Sequence, residues 1–307
     1  MPAVEPVEID AADLPPGDVA ARYRLARFTR ADSPDFARAY DALDREFGAR
    51  GELERRSVVE HWVARDAAGT WARPTPTLRT RYYLVEATTD RGELAAVRDC
   101  HVVIDVSRNV AVVYLAHVLV LPAHRRGGLS ALMRAVCVTL GRRALAELCA
   151  GADAPELLLA AEMEPAADDD EASIVRLVAY GRAGFQAIDP HALPYAQPDF
   201  RDPALIGSTP RPLPLLAVVR RAGHEQERQL PVGLAEAFVT HLYDGVFSSH
   251  CSAEHLAPAR AFALDTLRRA SLPSVALCPL PRDVSDSSAL EPISRDRVLP
   301  LHRAASI

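Results

Sequence analysis

The stretch "LPAHRRGGLSALMRA", residues 121–135, sets Arg125 and Arg126 beside Gly127 and Gly128, between an apolar run and a helix-forming run with no acidic residue. These residue types at this spacing suit an anion. The first N–H groups of a helix have no internal partner, and the helix dipole adds positive potential there. Glycine lets the backbone approach a phosphate closely, and two guanidinium groups supply charge for it. The chemistry points to a phosphate or pyrophosphate. The Gly-Lys-Ser/Thr ending of a nucleotide loop is missing, and so is Gly-x-Gly-x-x-Gly. An ordinary strand-to-helix turn with surface arginines is the alternative.

Other ionisable groups stand in apolar surroundings. Glu162 and Glu164 close the otherwise apolar run "LLLAAEMEP", and period-two alternation puts both on one face of a strand. A carboxylate base at that place needs its pKa raised by partial burial. His117 interrupts the long apolar run Val110–Ala123 and is read as a satisfied buried histidine. The run Asp168, Asp169, Asp170 and Glu171 is either a solvated loop or an anionic rim that attracts a cationic amine.

The elements that must position these groups follow from periodicity and caps. Residues 23–29 predict a strand. Ser33, Pro34 and Gly48 bound a helix over 33–48, and a second covers much of 54–66. Antiparallel strands follow at 81–90, 94–106 and 110–122, joined by turns. A long helix over 128–148 leads to a buried-type strand at 156–163, a helix at 172–182, and strands at 185–189 and 212–221. The Pro-rich connection 190–212 lies between the last two. Helical patterns at 232–247 and 254–270 form an appendage, and the Pro/Ser-rich stretch 271–307 is expected to lack regular structure.

The order β, αα, βββ, α, β, α, ββ predicts a mixed α/β fold. The pattern V-x-P-x-x-R-x-x-G-x-(G/A), here Val120, Pro122, Arg125, Gly128 and Ser130, resembles the acyl-CoA motif of the GNAT acetyltransferase superfamily. Downstream, "AYGRAGF" (179–185) resembles that family's Y-x-x-x-G-F. The resemblance runs over about residues 21–222. It implies a mostly antiparallel sheet flanked by helices, and the helical appendage lies beyond it. It also implies an N-acetyltransferase that moves acetyl from acetyl-CoA directly to an amine.

By the same resemblance, Arg125, Arg126, Gly127, Gly128, Leu129 and Ser130 cradle the pyrophosphate. Val118, Leu119 and Val120 pair with the pantetheine arm beside a bulge, the Val120 N–H serving the thioester carbonyl. Tyr180 protonates the leaving thiolate. Glu162, or else Glu164, takes the amine proton. Two places depart from the family: Ser130 stands for Gly or Ala, and Ser173 stands where many relatives carry a cofactor-contacting asparagine. Tyr195, Gln197 and Asp199 in the long connection are available to line an acceptor slot. A non-catalytic acyl-CoA-binding module, or a transferase of longer acyl groups, keeps the same fold.

Composition bounds the rest. The chain has 307 residues, 49% of them hydrophobic, and a net charge of −6. That is enough for a sizeable core and argues against a nucleic-acid binder. An N-terminal arm (1–20), a transferase domain (21–222) and the appendage with its tail (223–307) are the expected divisions. Every one of the 35 Lys+Arg residues is arginine, which a GC-rich gene explains as well as an enzyme that acylates lysines and spares itself. The five scattered cysteines form neither a disulfide framework nor a zinc site. With no signal-peptide pattern and no run long enough to cross a bilayer, a cytoplasmic protein without metal, membrane or nucleic-acid partners is expected. Its partner is an amine-bearing small molecule or peptide, with homodimerisation as a further option.

Overall fold

The computed structural model describes residues 2–48, 51–151, 155–167, 169–200 and 211–303. It divides into two compact units, Met1–Pro155 and Glu156–Ile307. The architecture is mixed α/β, with antiparallel pairing among the strands within each unit and helices flanking the strands.

In the first unit the strands are β1 (Val4–Pro6), β2 (Arg24–Phe28), β3 (Leu78–Thr88), β4 (Leu94–Asp105), β5 (Val110–Tyr114) and β6 (Val118–Val120). The order is β1-β2-β3-β4, with β5 and β6 both paired to β4. The helices are α1 (Pro34–Phe47), α2 (Arg56–Ala67) and α3 (Leu129–Leu148). The α1 start follows from its sequence: Ser33 accepts the Phe36 N–H at 3.1 Å and Pro34 occupies the first turn. Phe36, Tyr40, Leu43, Val59, Trp62 and Tyr82 are core residues here, together with Leu119 of β6. Each contributes about 1.5–3 kcal/mol by leaving water.

The expected arm is built into this unit. β1 pairs β2. Further on, Asp13 accepts from the Thr139 hydroxyl at 3.0 Å and meets Arg142 of α3 at 3.1 Å.

The strand expected over 110–122 is not continuous. Tyr114 stands opposite His101, and Val118 opposite Arg98. Three residues, Leu115, Ala116 and His117, therefore face two on β4. One extra residue makes a bulge, which divides the run into β5 and β6.

In the second unit the strands are β7 (Glu156–Met163), β8 (Gln186–Ile188), β9 (Tyr195–Gln197), β10 (Leu213–Arg221), β11 (Gln229–Pro231) and β12 (Ser274–Pro279). They run in the order β7-β10-β8-β12-β11, with β9 also on β10. The helices are α4 (Glu171–Arg182), α5 (Val232–Thr240), α6 (Ala253–Arg269), α7 (Ser287–Leu290) and α8 (Arg295–Arg303). One π-helical segment, His241–Val246, continues α5.

Two expectations are corrected here. The stretch 271–307 is not without regular structure: it holds β12, α7 and α8. Val275 and Leu277 alternate inward on β12, while Pro273 and Pro279 only bound the strand, where a missing N–H costs little. The connection 190–212 likewise contains β9. Residues 223–303 share one sheet with 156–222, because β12 pairs β8.

Candidate functional site

The first unit carries the residues expected to hold a cofactor. Asp99 N–H donates to the His117 carbonyl at 3.2 Å and Leu121 N–H to Ala95 at 2.9 Å. Alternation then turns the backbone groups of Val118 and Val120 away from β4. This outer edge is the one that an extended ligand can join as a strand. Leu119 is 7% exposed, so its side chain belongs to the core.

The bulge is pinned by a buried polar group of residues. The Asp99 carboxylate accepts from the His117 N–H at 2.6 Å, from the Tyr82 hydroxyl at 3.1 Å and from His117 Nδ1 at 3.2 Å. His117 Nε2 faces the Glu52 carbonyl at 3.0 Å. Both ring nitrogens thus face acceptors, so the ring is an imidazolium with no lone pair to offer a metal. Burial alone would lower the His117 pKa, but the Asp99 carboxylate outweighs it and pushes the group up to about 9. Burial also raises Glu54, to about 7. Glu54, Asp99 and His117 lie within 4.8 Å of one another, the reach of a metal-binding group. The hydrogen bonding of His117 reads the trio instead as an ion pair beside a neutral carboxyl. The expectation of a satisfied buried histidine at 117 fits this arrangement; its partner Asp99 was not singled out.

After β6 the chain makes one 3-10 turn at Pro122–His124 and enters the glycine segment. Arg126 has φ +63° and Gly128 φ +80°. A side chain in that region costs free energy that glycine avoids, and Arg126 bears the cost. α3 begins at Leu129 with no side-chain cap. Among the described residues no acceptor takes the N–H groups of Arg126, Gly127, Gly128, Leu129 or Ser130. Arg125 and Arg126 are exposed; the Nε of Arg125 donates to the Val120 carbonyl at 3.0 Å. Arg22 donates to the Gly127 carbonyl at 2.7 Å, and Val19 lies against Gly128. Val19 of the arm and Arg22 just past it therefore brace this turn, a role the Pro- and acid-rich composition of the arm does not signal. Leu129 is 1% exposed and offers only its N–H, whereas Ser130 stays half-buried.

The second unit carries the expected proton-transfer groups. Tyr180 is half-buried on α4. The N–H of Phe185 donates to its carbonyl at 3.1 Å, that of Gly184 to Gly181 at 3.1 Å, and Gly184 has φ +82°. This is a Schellman ending, completed by the Tyr180 and Phe185 rings at 4.9 Å. The "Y-x-x-x-G-F" spacing thus has a backbone cause.

Glu162 is half-buried on β7, where its carboxylate accepts the Tyr195 hydroxyl at 2.5 Å. Glu164 lies past the end of β7 and pairs with Arg176 at 2.9 Å, half-exposed. The structure thus distinguishes two carboxylates that alternation had made equivalent. Ser173 is buried and gives its hydroxyl proton to the Asp170 carbonyl at 2.8 Å, within the cap of α4. That proton is committed to the helix end. In the acidic run, Asp170 caps α4, Asp169 pairs with Arg295 at 3.0 Å, and Asp168 lies outside the described residues. Asp199 is 4% exposed and Gln197 half-buried on β9. Among the described residues all five cysteines are free thiols, and no helix is long and apolar enough to cross a membrane.

No protein-family model and no curated protein matches the sequence. Solved structures do match it. A spermidine N-acetyltransferase from Vibrio cholerae, in complex with CoA and spermine, is 13% identical over 67% of this chain and 99% of its own, with a TM-score of 0.36. A GCN5-related glucosamine N-acetyltransferase region of a fungal multi-domain β-N-acetylglucosaminidase is 15% identical over 54% of this chain and 17% of its own, with a TM-score of 0.37. Nourseothricin acetyltransferase is 22% identical over 48% of this chain and 66% of its own, with a TM-score of 0.25. The chain thus spans under two thirds of these last two proteins. All three are acetyltransferases.

Proposed function

We propose that the chain is an N-acetyltransferase that moves an acetyl group from acetyl-CoA to an amine by direct attack. The observation that carries the proposal is the succession over residues 115–130: a bulge, an edge with its backbone groups turned outward, then, beside two arginines, a helix start whose N–H groups have no acceptor among the described residues. Those groups fit a diphosphate, and the outward edge of Val118 and Val120 fits the amide-bearing arm of CoA. The Val120 N–H is the donor suited to the thioester oxygen, where charge develops.

The proton work falls to the second unit. Glu162 takes a proton from the amine as its nitrogen bonds to the acetyl carbon. Tyr180 gives its phenol proton to the sulfur as the C–S bond breaks. Solvent exchange then returns both groups to their starting states. An amine is the acceptor class, and an acetyl group the transferred one. The free cysteines suit a reducing, cytoplasmic setting.

Calorimetry with CoA, and a thiol reagent following CoA release across spermidine, glucosamine, nourseothricin and peptide amines, test this together. One-to-one CoA binding is expected, with turnover on at least one amine. Tyr180→Phe keeps the ring contact with Phe185 and removes only the hydroxyl. It should cut kcat by about 10²–10⁴ while leaving CoA affinity unchanged. CoA binding without turnover on any amine marks a non-catalytic binder, and no heat with CoA ends the proposal.

A further inference from the structure

We infer that Tyr195 is a positioning residue for Glu162, holding that carboxylate ionised and oriented as the base; this rests on the transferase reading above. Both residues are set by β10. Glu162 stands opposite Ala217 on one edge of that strand, and Tyr195 opposite Leu215 through β9. Antiparallel partners share a face, and so do residues two apart on one strand. Glu162, Ala217, Leu215 and Tyr195 therefore lie on the same side of the sheet. Ala217, the β10 residue opposite Glu162, carries only a methyl group on that side.

The phenol is held firmly for this task. Tyr195 is 1% exposed, and its ring meets Phe238 at 5.1 Å and Tyr243 at 6.0 Å, both edge-on. The Tyr243 hydroxyl donates to the Ala196 carbonyl and so ties down the strand that carries Tyr195. The hydroxyl then donates to Glu162 Oε1 at 2.5 Å. Away from water, a donor of this kind stabilises the charged form of its acceptor. It opposes the tendency of burial to protonate the carboxyl. The long connection between β8 and β10 thereby has a use: it brings a phenol to the end of β7.

Tyr195→Phe keeps the ring and deletes the hydrogen bond. The test compares the full chain with this variant, using ¹³C-carboxyl-labelled glutamate. Glu162→Gln identifies the Glu162 resonance, and near-ultraviolet circular dichroism checks the fold. The Glu162 midpoint should rise by about one pH unit in Tyr195→Phe. The acid limb of kcat/KM should move up by the same amount, and the plateau should fall as the carboxylate loses its orientation. An unmoved midpoint overturns the inference. If the midpoint moves but Glu162→Gln turns over like the native chain, Glu162 is not the base and the inference falls while the transferase reading stands. A native chain that acetylates no amine sinks the transferase reading itself, and the role of Tyr195 in catalysis with it.

Discussion

His117 faces acceptors on both sides, so its ring carries two protons in the fold while an unfolded histidine holds the second only below about pH 6.5. Its folded pKa of about 9 means that the ion pair with Asp99 stabilises fully below pH 6.5 and that this contribution is lost as pH rises through 9. Glu54 acts in the same direction. Its pKa is raised to about 7 by burial, so ionising it costs the fold progressively between pH 4.5 and 7. Denaturant unfolding should therefore show a loss of about 4–5 kcal/mol between pH 6 and 9.5, roughly two thirds of it from His117. His117→Gln should be less stable at pH 6 and show a shallower slope. A native chain with a flat profile over that range would mean that the ring is neutral. The ionisable group in an apolar run was visible in the sequence. Asp99 was not, because its partner lies 18 residues away and only the bulge brings the two together.

At the scale of elements, helix and strand periods carried most of the pattern, and the exceptions have local causes. A bulge adds one residue without changing hydrophobicity, so 110–122 looked like one strand. Three-residue strands such as β9 are too short to show alternation. The glycine-rich turn was legible because its residue types are the mechanism, whereas the preference for Glu162 over Glu164 gains its support from Arg176 and Tyr195, which come from α4 and β9. Gly181 is a further case. Read along α4 it is only a poor helix former, but a Cβ there would meet the Pro281 carbonyl oxygen at 2.2 Å and that of Leu280 at 2.8 Å. Both are backbone atoms, so α4 and the segment after β12 would have to move apart. Beside it, Arg182 donates to the Arg282 carbonyl at 2.8 Å, which fixes the same approach. Gly181→Ala is expected to destabilise the second unit by about 1–3 kcal/mol despite its better helix propensity. Thermal unfolding measures this, and an unchanged or raised Tm would show that the segment yields freely.

At the scale of the whole chain, the expected division at residue 222 becomes an experiment. The second unit draws its strands from both sides of that point. β12 pairs Leu277 with Ile188, Cys278 with Ala187 and Pro279 with Gln186. Phe238 and Tyr243, both fully buried, supply the rings around Tyr195. A chain ending at Ala222 would leave the β8 edge without its partner and strip the apolar cover from β9. Unpaired backbone groups and uncovered core side chains both favour opening. Trypsin is therefore expected to cut the shortened chain rapidly at Arg176, Arg182, Arg220 and Arg221, under conditions where the full chain resists. The hydrogen bond from Tyr195 to Glu162 would go with the fold, so acetyl transfer should vanish even though every residue of the resemblance, 21–222, is still present. A shortened chain that resists trypsin and keeps its turnover would show instead that residues 223–303 only decorate a self-sufficient transferase core.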